Sequence, residues 1–239
     1  MMMVECLASS SRGNAYVLDP RGKAPLLLEC GLSIRELKKR TGYRLHKMAG
    51  CLLTHEHQDH AKAALDILQA GVDLYTTKGT ASALDLKGYR LHQVEYGKAF
   101  RIGEQWTAMA FETVHDAREP AGFLIRHGCN REKILFATDT AYIRNRFQGL
   151  TRILIECNYQ PEILERNIEA GHFPAAMKAR LMASHMSLPT VLDFLKANDL
   201  SELKEIWLIH SSDRNSDRAE MKAAVQRATG KPVYIAEQE

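Results

Sequence analysis

Apolar positions in this chain gather into short, nearly continuous runs separated by polar turns. Residues 4–7 and 15–18 read as short strands around a polar loop from 9 to 14. Further apolar runs cover 25–29 and 51–53. Ser33 with Glu36 makes a capping-box pattern that opens a helix, and Gly42 closes it. A second helix is expected from about 59 to 70, with Gly71 as its stop. Residues 72–126 read as strand-rich, with one short helix near 80–85. In the second half, 134–137, 153–155 and 206–209 read as strands. Helices are expected at 161–169, 174–183, 188–198 and 216–228, the last two opened by Ser187 and Ser216 as N-caps. Strands that cluster and then alternate with helices predict an α/β fold, with sheets covered by helices. No repeat, low-complexity tract or flexible linker interrupts the pattern, so residues 1–239 read as a single domain.

Composition narrows the class. The chain has 239 residues, 45% hydrophobic and 26% charged, as a soluble globular protein does, which excludes a disordered chain, a collagen-like fibre and a coiled coil. No apolar run approaches a membrane span. The first residues lack the basic start and long apolar stretch of a secretory signal. Five cysteines, an odd number with no CxxC, argue against a disulfide framework. All five read as buried thiols in a protein of the reducing cytoplasm. A net charge of +3 neither requires nor opposes a nucleic-acid partner.

Four apolar runs each end in a residue able to bind metal or move protons: His55, Asp139, Glu156 and His210. Ligands in open α/β sheets gather beyond the carboxyl ends of strands, so these four can share one rim. The densest cluster, His55-Glu56-His57-Gln58-Asp59-His60, reads H-x-H-x-D-H. A spacing of two points His55 and His57 the same way from an extended segment, while Asp59 and His60 fall where the next helix starts. Imidazole nitrogens and a carboxylate suit zinc or manganese, and the two halves of the motif can each serve one ion about 3.5–4 Å from the other. A polar surface loop with incidental histidines is the bland alternative, and four such side chains in six residues weigh against it. His115, Asp139 and His210 are the best candidates to complete two metal shells. Taken singly, the two histidines can equally be core residues and Asp139 a helix cap.

With those three added in order, the pattern resembles the metallo-β-lactamase superfamily along nearly the whole chain. Finer blocks are similar to the YycJ/WalJ-type nucleases: Ser10-Ser11-Arg12-Gly13-Asn14, Leu28-Glu29-Cys30-Gly31-Leu32-Ser33, His115-Asp116-Ala117-Arg118-Glu119-Pro120, Ala137-Thr138-Asp139-Thr140, Glu156-Cys157-Asn158, Ser184-His185-Met186-Ser187 and His210-Ser211-Ser212-Asp213-Arg214-Asn215. Two positions depart from that pattern: Glu29 stands where Asp is usual, and Ser184 where Gly is usual.

The resemblance implies a four-layer αβ/βα sandwich and two divalent ions, Zn or Mn. It gives His55, His57 and His115 to one ion, Asp59, His60 and His210 to the other, with Asp139 bridging and Glu29 supporting a ligand from behind. It implies a phosphodiesterase acting on nucleic acid, with DNA as substrate and a 5′-to-3′ exonuclease action. Water bridging two such ions has a lowered pKa and serves as hydroxide near neutral pH. Asp59 orients that water, His185 serves the phosphate or the leaving oxygen, and Glu156 fixes the His185 ring. Asn14 and Arg214 are candidate phosphate contacts; Lys178 and Arg180, like Arg35, Lys38, Lys39 and Arg40, read better as solvated faces. Asp139 and His210 stand too close in sequence for a β-CASP clamp domain between them. Other readings keep the scaffold: an RNA nuclease, a cyclic-nucleotide phosphodiesterase, a thioesterase or lactonase, or a binding protein without catalysis.

Overall fold

The computed structural model describes residues 2–21, 24–129 and 131–236. It divides into two compact units. One contains the described residues up to Glu112 together with Ala117–Glu132, and the other contains Thr113–Asp116 with Lys133–Ala236.

The first unit opens with a hairpin, β1 (Met3–Ser10) and β2 (Gly13–Asp19), paired from Met3↔Asp19 to Ser10↔Gly13. The expected polar loop is therefore only the turn at Ser11 and Arg12. There follow β3 (Leu26–Leu28), α1 (Ile34–Arg40), β4 (Gly50–Leu52), α2 (Gln58–Ala61), α3 (Ala64–Gln69), β5 (Leu74–Thr77), α4 (Lys78–Ala83) and β6 (Leu91–Val94). The sheet order is β1-β2-β3-β4-β5-β6, antiparallel as far as β3 and parallel from β3 to β6. Every residue of β2, β3, β4 and β5 is buried. Such strands read as unbroken apolar runs because neither face meets water. Leu27, Cys51, Leu53 and Leu74 pack with Leu37 of α1 and Ile67 of α3 into one core. Ser33 caps α1 by accepting from Glu36 N, and Gly42 follows it with φ 59°. A further meander, β7 (Ala99–Ile102), β8 (Trp106–Glu112) and β9 (Ala121–His127), pairs antiparallel throughout.

One expectation in this unit is corrected. The helix expected from 59 to 70 is two helices, α2 and α3. Ala63 N donates to Cys30 O at 2.9 Å, outside the helix, and Asp59 O accepts from the Asn14 side-chain amide at 3.2 Å. Both groups that would have closed the next helical turn are bonded to neighbouring segments.

The second unit is built on β10 (Glu132–Ala137), β11 (Arg152–Glu156), β12 (Glu205–Ile209) and β13 (Val233–Ile235). These strands are parallel in the order β13-β12-β11-β10, with all of β11 buried. Between them run α5 (Pro161–Glu169), α6 (Lys178–Ser184), α7 (Leu188–Lys196) and α8 (Arg218–Thr229). A 3-10 turn, Ala175–Met177, replaces the start of the helix expected at 174. Ser187 caps α7 as predicted, but α8 is capped by Asp217 rather than Ser216. The Ser216 hydroxyl is engaged instead, donating to Ser212 O at 2.6 Å.

No helix among the described residues is long and apolar enough to cross a membrane. The cysteines depart from expectation in part. Cys30, Cys51 and Cys157 are buried, but Cys6 is half-buried and Cys129, at the turn after β9, is exposed.

Candidate metal centre

In the first unit the parallel strands β3 and β4 end side by side, and the chemistry starts there. Glu29 follows β3, and Thr54 and His55 follow β4. Glu29 N donates to Leu52 O at 2.9 Å, and Glu29 Oε1 accepts from Thr54 N at 3.3 Å. Its other oxygen lies 3.5 Å from His60 Nδ1. The Glu29 side chain thus reaches a ligand candidate from behind, from a backbone at φ 63°. His55 is buried, with Nδ1 2.8 Å from Thr54 Oγ1 and Nε2 3.1 Å from His57 Nδ1. The His55 and His60 rings lie 4.3 Å apart, and Asp59 Oδ2 is 3.3 Å from His60 Nε2. The four side chains of the H-x-H-x-D-H run therefore form one cluster.

Glycine makes this packing possible. A Cβ on Gly31 would fall 1.7 Å from Asp59 O and 2.8 Å from Asn14 N. Asn14, expected at substrate, is fully buried instead. Its Nδ2 donates to Ser10 O and Asp59 O, at 3.0 and 3.2 Å, and lies 3.2 Å from His60 Nε2. It holds the cluster rather than facing solvent.

In the second unit β10, β11 and β12 end in a row with Asp139, Glu156 and His210. Asp139, Glu156, His185 and His210 bring nitrogen and oxygen atoms within 4.8 Å of one another. Glu156 is fully buried and accepts four hydrogen bonds. Its Oε1 receives His185 Nδ1 at 2.6 Å and His210 Nδ1 at 3.1 Å, and its Oε2 receives Thr140 N and Met186 N, both at 3.1 Å. The His185 and His210 rings stack 5.5 Å apart. His115 belongs to this unit through its short segment. Its Nδ1 donates to Ser184 O at 3.0 Å, and its Nε2 lies 3.7 Å from Asp139 Oδ2. Arg214 is exposed on the loop after His210. Lys178 pairs with Glu165, and Arg180 with Asp116 at 3.2 Å, on exposed surface.

Electrostatics separates the histidines. Burial pushes the His115 pKa down, against the pull of Asp139. Burial also opposes charge on His185, but the Glu156 carboxylate outweighs it and raises the pKa. Glu156 answers in kind: burial would raise its pKa, and His185 and His210 together hold it low. Asp139 and His210 adopt φ of 44° and 52°. Non-glycine residues held there cost of order 1–3 kcal/mol each, and they persist where surrounding structure requires them.

The donor set fits divalent metal ions. It offers imidazole nitrogens and carboxylate oxygens, the chemistry zinc and manganese take, and no thiolate. His115 and His210 direct Nδ1 to a carbonyl and a carboxylate, the outer partners that fix a ligating ring by its other nitrogen. Sequence reasoning did not find the Ser184 carbonyl or the Thr140 amide. Both are backbone groups, which every residue carries.

A family model, described as a beta-lactamase superfamily domain, matches residues 25–210. The chain belongs to the beta-lactamase superfamily. It is 30% identical over 227 residues to "Exodeoxyribonuclease YycJ" of Bacillus anthracis, covering 88% of this chain and 82% of that one. Among solved structures, the metallo-beta-lactamase fold protein YhfI from Bacillus subtilis superposes with a TM-score of 0.75 at 16% identity, covering 99% of this chain and 96% of that one. Zn(2+)-bound PqqB from Methylobacterium extorquens gives 0.71 at 15% identity, covering 100% and 98%. These likenesses show the metallo-β-lactamase fold expected from the sequence. The superfamily is one of metal-dependent hydrolases, and this member keeps clusters of histidine and carboxylate at its strand ends.

Proposed function

We propose that the protein is a metal-dependent nuclease that hydrolyses phosphodiester bonds in DNA, with 5′-to-3′ exonuclease action. His55, His57 and His115 would hold one divalent ion, and Asp59, His60 and His210 a second, with Asp139 shared. In this reading the chain would carry them without an inserted clamp domain. Ions so held supply a positive field that acidifies water and draws charge from the attacked phosphate.

The chain's own residues supply the rest. Asp59 takes the proton of the attacking water at its carboxylate. Glu29 faces Nδ1 of His60, and Asn14 holds the start of α2 through Asp59 O. The observation that carries the reading is His185, whose Nδ1 is bound to Glu156 at 2.6 Å, a carboxylate that raises the pKa of the ring. Its other ring nitrogen is a proton donor suited to the leaving oxygen of a phosphodiester, whereas the thiolate leaving group of a thioester has less need of one. The exodeoxyribonuclease name of a 30% identical relative supports the same class.

One preparation tests this. Bound metals are quantified, then Mn²⁺ or Zn²⁺ is added with 5′-labelled single-stranded and double-stranded DNA, and His55→Ala serves as control. Metal-dependent degradation that His55→Ala and Asp59→Asn both lose is the expected result. His185→Ala should lower the maximal rate and keep its metal. Bound metal with intact DNA in the wild type would refute the nuclease assignment.

A further inference from the structure

Directly after Asp139 the chain runs as an irregular loop from 140 to 147, held at both ends. Thr140 Oγ1 accepts from Val114 N at 2.9 Å and donates to Tyr142 O at 2.8 Å, while Thr140 N donates to Glu156. At the far end Phe147 N donates to Asn198 Oδ1 at 2.7 Å, and the Phe147 ring meets that of Phe194 on α7. Between loop and α7 lies an open cavity of about 280 Å³, lined by Tyr142, Arg144, Arg146, Phe194 and Asn198, among others. Tyr142 is 42% exposed. Arg144 lies over its ring, with Cζ 5.6 Å from the centroid, and donates from Nη2 to its hydroxyl at 3.1 Å. Arg146 is exposed and carries a second full charge. Asp193, the carboxylate of the lining, lies 3.9 Å from Lys196 Nζ.

We infer that this groove binds a single-stranded DNA segment beside the reacting phosphodiester, with a base against Tyr142 and the backbone phosphates against Arg144 and Arg146. The inference rests on the nuclease reading above. Three features select the occupant. An exposed ring with a guanidinium over it is a stacking platform that accepts any unpaired base. Two arginines on one cavity lining match phosphate charge and geometry. The cavity is small for a ligand pocket, so it takes a nucleoside rather than a duplex. Position agrees: Tyr142 lies three positions after Asp139, which limits their Cα separation to about 11 Å.

The test uses the whole protein and a short, fluorescein-labelled, single-stranded phosphorothioate DNA that resists cleavage. Anisotropy titrations over a range of salt compare wild type with R144E/R146E, and a thermal melt checks the variant's fold. Affinity should fall at least tenfold, and the salt slope by about 1.4, since each phosphate contact on a single strand contributes about 0.7. In wild type, a 5-iododeoxyuridine oligonucleotide should photo-crosslink at Tyr142. Affinity within twofold of wild type in a folded variant, or a crosslink mapped away from 140–147, would overturn the groove while leaving the nuclease reading intact. Wild-type protein that binds no DNA would overturn both.

Discussion

Glu156→Gln is the most searching single change, because its geometry leaves the new side chain only one way to sit. Glu156 Oε2 accepts from the backbone amides of Thr140 and Met186, which can never become acceptors. The glutamine oxygen must therefore take that side, and its NH₂ group must face His185 Nδ1 and His210 Nδ1, where Oε1 now accepts both. Each imidazole then either turns a hydrogen against a hydrogen or moves its proton to Nε2. For His210 the second course protonates the nitrogen proposed to bind metal. Two hydrogen bonds to a charged acceptor, at about 1.5–3 kcal/mol each, would be lost. The metal-free variant should thus be destabilised by about 3–5 kcal/mol, the range for breaking a buried charge pair, and metal affinity should fall 10–100-fold. Glu156 is held below its ordinary 4.5, so its contribution is full above that value and lost as pH falls through the lowered one. His185 is raised above its ordinary 6.5, so its share is full below 6.5 and lost as pH rises through the raised value. Urea unfolding of metal-free protein should show the widest gap between wild type and variant from 4.5 to 6.5. Competition with a chelator gives the metal affinity. A loss below about 1 kcal/mol at pH 5.5, with metal affinity within twofold, would refute the reasoning.

Three further outcomes follow from the packing. Gly31→Ala should lower metal content although no ligand is changed, because its Cβ meets Asp59 O at 1.7 Å and the start of α2 must move; overpacking of this kind costs about 1–3 kcal/mol, and metal analysis with a denaturation curve checks both. Asp217→Ala removes the α8 cap to Glu220 N and should cost about 1 kcal/mol, read as a shifted urea midpoint with unchanged slope. Cys129 should react with a thiol reagent within the mixing time, whereas Cys30, Cys51 and Cys157 should require unfolding; two or more further fast thiols would contradict the burial described.

The candidate donors were legible because largely buried parallel strands leave apolar runs that stop abruptly at a histidine or a carboxylate. That is why 135–139, 153–156 and 207–210 could be read directly, and why H-x-H-x-D-H stood out. The break between α2 and α3 was not legible, since it depends on Cys30 O and the Asn14 amide, both distant in sequence. The burial of Asn14 was not legible for the same reason: a polar residue in a loop-like segment reads as solvent-facing until its partners, Ser10 O and Asp59 O, are known. β13 escaped because Val233–Ile235, unlike the equally short β3 and β4, is not an unbroken buried run: Tyr234 is exposed, and the strand pairs only with β12 among the described residues. Ser216 and Asp217 are equally good caps in sequence, and the Ser212 carbonyl decides between them.

Glu29, Asp139 and His210 sit in backbone conformations that glycine and asparagine occupy at far lower cost. Their side chains are the reason the strain persists. A library screened for heat resistance alone, with no requirement for turnover, would therefore be rewarded at these positions for discarding the side chains proposed to hold the metal ions or to support their ligands. On the proposed function, thermal robustness and turnover pull in opposite directions at the strand ends, and an engineer who wants both would hold these three residues fixed and seek stability elsewhere.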